Sequence, residues 1–143
     1  MKYSGIDLHC NNSVVTVTDE EDRVVAEKRL PNELTKIVGF LMPWREELVG
    51  VVVESTFNWY WLADFMSEQQ IAFILGHALF MKAIHGGKTK SDAIDSEKIA
   101  RLIRGGNFPL AHAYPKEHRA SRDLLRRRTY LVRRRAEALT HIQ

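Results

Sequence analysis

Four carboxylates occupy positions in the sequence that metal binding would explain: Asp7, Glu54, Asp92 and Asp95. Asp7 interrupts an apolar stretch near the N-terminus, and Glu54 directly follows the run LVGVVV. A carboxylate beside an apolar strand is costly unless it accepts hydrogen bonds or coordinates a metal ion. Asp92 and Asp95 stand three residues apart at the start of a helical pattern, so they share one helix face despite their mutual repulsion.

Oxygen ligands without a cluster of cysteine or histidine suit a hard divalent cation, Mg²⁺ or Mn²⁺. Two such ions can clamp the attacking and leaving oxygens of a phosphodiester. We therefore predict that all four carboxylates bind Mg²⁺ or Mn²⁺ and act in catalysis. The residues alone leave simpler roles open: Asp7 capping a turn, Glu54 pairing with an arginine, or Asp92 capping its own helix, where an anion is favoured.

A predicted succession of strands and helices positions these carboxylates. Alternating or continuous apolar runs predict strands at 3–8, 13–18, 23–30, 48–53 and 71–75. Helices are predicted after Asn32 as N-cap, from Phe57 to about Glu68, after Ser91, and after Pro115, with Pro43 ending the first one. The order β-β-β-α-β-α-β-α is that of an α/β, ribonuclease-H-like mixed sheet with flanking helices, here followed by a long C-terminal helix.

The charge distribution divides the sequence into two predicted regions. Residues 116–143 contain nine Lys or Arg and three Asp or Glu, a balance of +6, so residues 1–115 carry −3 of the net +3. We predict a catalytic domain over 1–115 and a basic helix over 116–143 that meets DNA, although a plain solvated helix face is the alternative. The predicted nucleic-acid contacts are Arg126, Arg127, Arg133 and Arg134, with Lys88 and Lys90 in a glycine-rich loop.

The basic helix also carries an apolar seam, in which two sets of residues recur every seven positions: Leu124, Leu131 and Ala138, and Leu125, Val132 and Leu139. Such a repeat is typical of the start of a coiled coil. We therefore predict a homo-oligomer formed through this helix. Packing of the seam on the chain's own domain is the alternative.

Composition places the protein in a reducing compartment. Cys10 is the single cysteine, so no internal disulfide is possible. The N-terminal stretch MKYSGIDLHC has no signal-peptide core, and no apolar run reaches the roughly 20 residues that span a bilayer. We expect a cytoplasmic protein without a membrane partner.

Three stretches resemble the N-terminal domain of the DEDD transposases of bacterial insertion sequences, a family related to the pilin-gene invertase. They are GID at 5–7, VVVES at 51–55 and KSDAIDSEKIARLIR at 90–104. The third is similar to the family's Lys-Thr-Asp-x-x-Asp-Ala pattern and the apolar-Ala pair that follows it. The matching residues are Lys90, Asp92, Asp95, Ile99 and Ala100, whereas Ser91 and Ser96 depart from the pattern.

The resemblance implies that the four carboxylates correspond to the family's four acidic catalytic positions. It also implies a fold similar to the RuvC-type Holliday-junction resolvases, action with divalent metal on strand-exchanging DNA, an oligomer and a guide-like RNA. Family members continue into a second domain with a serine thought to attack DNA. We therefore expect the chain to be a truncated part of a longer protein.

Two other functional classes remain open at this point. The stretch GIDLHCNNSVV at 5–15 is similar to the first phosphate loop of actin/Hsp70-like ATPases, although His9 replaces the glycine that allows close backbone approach to phosphate. The other alternative is a non-catalytic fragment that serves only for assembly through its basic helix.

Overall fold

The computed structural model of the chain describes residues 1–55, 59–80, 92–106 and 108–142. The chain divides into two compact units, Met1–His112 and Ala113–Gln143. The first unit contains the sheet and its flanking helices, and the second contains the long C-terminal helix.

Five strands form one mixed sheet: β1 (Lys2–Leu8), β2 (Asn12–Thr18), β3 (Val24–Pro31), β4 (Leu48–Glu54) and β5 (Phe73–Gly76). Their spatial order is β3-β2-β1-β4-β5. The first three strands form an antiparallel meander, whereas β4 pairs in parallel with both β1 and β5. The five predicted strands are confirmed, with ends displaced by one or two residues.

The helices are α1 (Leu34–Leu41), α2 (Tyr60–Glu68), α3 (Asp92–Arg104) and α4 (Lys116–Thr140). A 3₁₀ turn, Met42–Trp44, follows α1 and contains Pro43, so α1 ends before the proline as predicted. The helix predicted from Phe57 begins at Tyr60, and Phe57 itself lies outside the described residues. With its crossovers, this mixed sheet has the predicted ribonuclease-H-like fold.

One face of the sheet carries the main hydrophobic core. α1 and α2 both cover this face with their apolar stripes, which follow the three- and four-residue spacing of the sequence. Fully buried members from the two helices and the sheet include Ile37, Leu62, Ile6, Val15 and Val53.

The opposite face of the sheet is covered by α3, which packs on β1, β2 and β4. Val52 and Ile99 form a small buried apolar cluster there, and Ser96 and Ala100 are fully buried beside it. Because Val51, Val52 and Val53 are all inaccessible, the interpretation of β4 as a strand buried on both faces is confirmed.

The prediction that Asn32 caps α1 is wrong. Glu33 occupies the N-cap position, and no side chain there bonds to the helix. Asn32 instead accepts a hydrogen bond from the Ser13 hydroxyl at 2.6 Å and donates one to the His9 carbonyl oxygen at 2.7 Å. These bonds fix the start of β2 against the preceding loop, so a tertiary role displaces the local one. The other predicted cap, Ser91, lies outside the described residues.

α4 is exposed along almost its whole length. Near its start, the Arg119 Nε donates to the Tyr114 carbonyl oxygen at 2.9 Å, and the Arg122 guanidinium lies 5.3 Å from the centre of the Tyr114 ring. These contacts fix the first turns of the helix to the segment before it. Among the described helices, α4 included, none combines the length and the apolar character needed to cross a membrane.

Candidate catalytic carboxylate site

Asp7 lies near the end of β1 with a largely sheltered side chain, 15% exposed. Its neighbours Ile6 and Leu8 belong to the main core, so the alternation of side chains along the strand directs Asp7 to the face covered by α3. One carboxylate oxygen, Oδ2, lies 3.0 Å from the Nε2 of His9. The structure thus adds a histidine partner that we had not assigned from the sequence, where only its proximity along the chain could have suggested it.

Glu54 ends β4 at the position beside Asp7. The register pairs Ile6 with Val53, so Asp7 and Glu54 are the next residues on two neighbouring parallel strands. Such strands lie about 4.8 Å apart, and residues at matching positions point to the same face. Val52, two residues earlier on β4, packs in the small cluster under α3. The structure therefore brings Asp7 and Glu54 to one edge and one face of the sheet.

α3 runs antiparallel to β1 across this face. The Ser96 Oγ lies 2.6 Å from the Thr16 Oγ1, and Thr16 is the register partner of Gly5 in the middle of β1. At the other end, Arg104 donates two hydrogen bonds, at 2.7 and 2.5 Å, to Asp22 in the turn between β2 and β3. That turn lies at the amino end of β1, so the amino end of α3 lies at the carboxyl ends of β1 and β4.

The two predicted aspartates of α3 therefore belong to the same edge of the sheet as Asp7 and Glu54. Asp92 is the first residue of the helix, and its side chain is outside the described part of the structure. The Asp95 side chain is 42% exposed, with its Oδ1 4.0 Å from the Nζ of Lys98. An ion pair at this distance and exposure holds a carboxylate only weakly.

Among the side chains that the structure describes, no group of three or more His, Cys, Asp or Glu is arranged to hold a metal ion. Asp7, Glu54 and Asp95 therefore do not complete a metal site by themselves. The donor chemistry of the edge nevertheless fits a hard cation, because it consists of carboxylates. The four-carboxylate ligand set includes Asp92 and stays a prediction.

The turn between β2 and β3 holds the far end of α3 with charged groups. Asp22 has a left-handed backbone conformation (φ 61°), which Asp tolerates better than most residues, and its hydrogen bonds raise the pKa of Arg104. Burial alone would raise the pKa of Asp19. Hydrogen bonds from the Arg23 and Glu21 amides and from the Arg23 guanidinium outweigh burial, so the pKa lies below its ordinary 3.8. From the sequence alone, the segment between β2 and β3 is predicted only to be a polar turn.

The predicted nucleic-acid contacts fall in two places. Lys88 and Lys90 lie outside the described residues. The four predicted arginines of α4, Arg126, Arg127, Arg133 and Arg134, are all exposed. Two of them have partners on their own helix: Arg134 pairs with Glu137 at 2.6 Å, and Arg127 lies 5.5 Å from the centre of the Tyr130 ring. Together they give α4 a strongly basic surface.

The sheet order, the crossover helices and the carboxylates at the ends of β1 and β4 define a ribonuclease-H-like α/β domain. A family model described as a transposase, the DEDD transposase domain of IS110-type elements, matches residues 4–143, and the chain belongs to this family. A comparison with curated proteins gave no match. Membership in a transposase family supports a role in DNA transposition, with DNA as a partner.

Proposed function

We propose that this chain is the catalytic domain of a DNA transposase that acts with Mg²⁺ or Mn²⁺ on phosphodiesters during strand exchange. One observation carries the proposal: Asp7 and Glu54 lie side by side at the carboxyl ends of neighbouring parallel strands, on the sheet face where α3 brings the backbone of Asp92 to the same edge. Partly buried carboxylates gathered in this way are costly unless a cation or hydrogen bonds compensate them. The family match supports the same assignment.

In this proposal each carboxylate has a defined task. Asp7 and Glu54 hold metal from the rigid sheet, and Asp92 and Asp95 complete the ligand set from the helix. A bound divalent ion supplies stabilisation of the charge that develops on the scissile phosphate. The protein's own contribution is to hold the carboxylates aligned at one edge, with Asp7 additionally oriented by His9.

Metal binding is the direct test, measured by titration calorimetry with Mn²⁺ on the full chain. We expect a Kd below about 1 mM. Asp7→Asn, Glu54→Gln and Asp92→Asn should each weaken binding by about 100-fold or more, since changes outside the ligand shell alone cost about 10–100-fold. Glu68→Gln, an exposed carboxylate on α2, is the matched control and should bind as the wild type does.

Two results would contradict the proposal. Unchanged Mn²⁺ binding in the three variants would show that these carboxylates do not form one site. Absence of Mn²⁺ binding in the wild type would contradict it as well, and tight ATP binding in its place would favour the actin/Hsp70-like alternative, which the family match does not support.

We also propose that the basic surface of α4 contacts the phosphates of DNA. In its favour, Arg126 and Arg133 are seven residues apart and exposed, with Tyr130 between them. Replacing each by Gln should reduce the slope of log affinity against log salt by about 0.9 per lost phosphate contact. Arg45→Gln, in the sheet unit, is a charge-matched control. A guide-like RNA stays a prediction, and competition by RNA in the same assay tests it.

The seam of α4 supports self-association. Leu124, Leu125, Leu131, Val132 and Leu139 are all exposed large apolar residues. A second copy of the helix would bury them in coiled-coil fashion. Leu131→Gln with Val132→Gln should dissociate the oligomer in sedimentation velocity while Arg134→Gln leaves it intact. A wild-type chain that sediments as a monomer would rule this interface out, and with it the non-catalytic assembly function.

A further inference from the structure

Gly5 lies directly beneath the backbone of α3. A Cβ at this position would lie 2.7 Å from the Ala100 amide nitrogen and closer still to the Ser96 carbonyl oxygen. Real Cβ atoms essentially never approach backbone atoms this closely, and backbone cannot turn aside as a flexible side chain does. At Gly5 the helix backbone therefore rests directly on the backbone of β1.

A second contact fixes the level of α3 along the sheet. The hydroxyls of Thr16 and Ser96 lie 2.6 Å apart, and both residues are fully buried. Thr16 is directly opposite Gly5 in the β1–β2 register. The close approach and the hydroxyl contact thus lie side by side, and together they define both the height of the helix above the sheet and its position along the strand.

We propose that Gly5 and Thr16 are positioning residues for the carboxylate site, an inference that rests on the proposed function. Asp7 lies two residues beyond Gly5 on β1, a rise of about 7 Å. Asp92 lies four residues before Ser96 on the antiparallel helix, a rise of about 6 Å. Asp7 and Asp92 consequently lie at about the same height along the strand direction. The distance between their backbones is set by how closely Gly5 lets α3 approach β1.

An added methyl group at residue 5 should therefore act on the site without touching it. The substitution Gly5→Ala would force α3 away from the sheet by about 1 Å, because close-packed backbone has nowhere else to go. Functional constellations need their groups within about 0.5 Å of the productive geometry. Supporting residues outside the ligand shell typically alter metal affinity by about 10–100-fold.

The experiment compares Gly5→Ala, Thr16→Val and a matched control, Thr18→Val. Thr18 is a buried threonine two residues along the same strand and the same face, and its hydroxyl has no hydrogen-bond partner within the described part of the chain. Each full-length variant is examined by Mn²⁺ calorimetry, by urea unfolding without metal and by crystallography. Because binding is measured on folded protein, a purely structural role would lower stability and leave the Kd unchanged.

We expect Gly5→Ala to weaken Mn²⁺ binding at least tenfold, with α3 displaced by about 1 Å in the crystal, and Thr16→Val to weaken binding more than Thr18→Val does. Equal affinity in Gly5→Ala and the wild type, or an undisplaced helix, would overturn the inference. If Gly5→Ala fails to fold, the test is the comparison of Thr16→Val with Thr18→Val. Equal Mn²⁺ affinities in these two variants would overturn the inference. A wild-type chain that binds no Mn²⁺ would instead refute the proposed function, leaving Gly5 as a spacing residue of the fold alone.

Discussion

The two faces of the sheet are covered in different ways. α1 and α2 cover one face through a large cluster of apolar side chains that includes Leu62 and Ile37. α3 covers the other with a small apolar cluster, a glycine in backbone contact, a buried hydroxyl pair and charged groups at its far end.

We interpret the first kind of contact as contributing mainly to the stability of the fold, and the second as contributing mainly to the position of α3 on the sheet. Apolar burial is non-directional and tolerates small repacking shifts, so it stabilises a fold without fixing one side chain to a fraction of an ångström. Hydrogen bonds and close backbone contacts are directional and short-ranged. The face that carries Asp7 and Glu54 is the one held by directional contacts, which suits the proposed alignment of carboxylates from separate elements.

The largest expected effect is a loss of stability from a substitution on the sheet face covered by α1 and α2. Leu62→Ala removes a fully buried side chain of α2 and should lower the free energy of unfolding by about 2–5 kcal/mol. Urea denaturation measures this loss. Under conditions where the variant remains folded, the Kd for Mn²⁺ should match the wild type. A large change in the metal affinity of folded Leu62→Ala would show that the two faces are not separable.

A smaller effect on stability is expected from a substitution on the sheet face covered by α3. Thr16→Val removes a hydroxyl that contacts Ser96 and also donates to Glu27 at 3.3 Å, and should cost about 1 kcal/mol in urea denaturation. Thr18→Val should be close to neutral because its buried hydroxyl has no partner among the described residues. Equal losses in both variants would mean that the hydroxyl pair contributes nothing specific.

Local patterns predicted the elements but not the contacts between them. The apolar runs were sufficient for the strands, and the paired positions of Asp7 and Glu54 follow once β1 and β4 are neighbours. The Thr16–Ser96 contact joins residues 80 positions apart, and nothing in either local sequence indicates it. Nor does the GID motif reveal that its glycine lies against a helix backbone.

Asn32 shows the same limit at a single residue. Its type and its place before an apolar helix pattern favour an N-cap. The structure uses its amide for Ser13 and the His9 carbonyl instead, two partners supplied by the tertiary fold. Whether such a residue forms its hydrogen bonds locally or with distant residues depends on tertiary packing. A local sequence pattern does not show that packing.

The pH dependence of stability should report on the turn that holds the end of α3. Because the pKa of Asp19 is lowered in the folded protein, its ionised form stabilises the fold above the ordinary value of 3.8, and this contribution is lost as the pH falls through the lower folded-state pKa. Asp19→Asn should therefore have a lower Tm than the wild type at neutral pH, and the difference should narrow on acidification. A difference in Tm that stays constant down to acid pH would contradict this role of Asp19.

The smallest effect is expected on the solvent side of α3, where Glu97 pairs with Arg101 one helical turn later. Exposed pairs with this spacing contribute about 0.3–0.5 kcal/mol and weaken with added salt. A double-mutant cycle of Glu97→Gln and Arg101→Gln, measured by urea denaturation at low and high salt, isolates that coupling. It should be smaller than the loss in Thr16→Val, although both contacts belong to the same helix. A coupling above about 1 kcal/mol would mean that this exposed pair contributes as much to stability as the buried contact of Thr16 with Ser96, contrary to the expected difference between the two sides of α3.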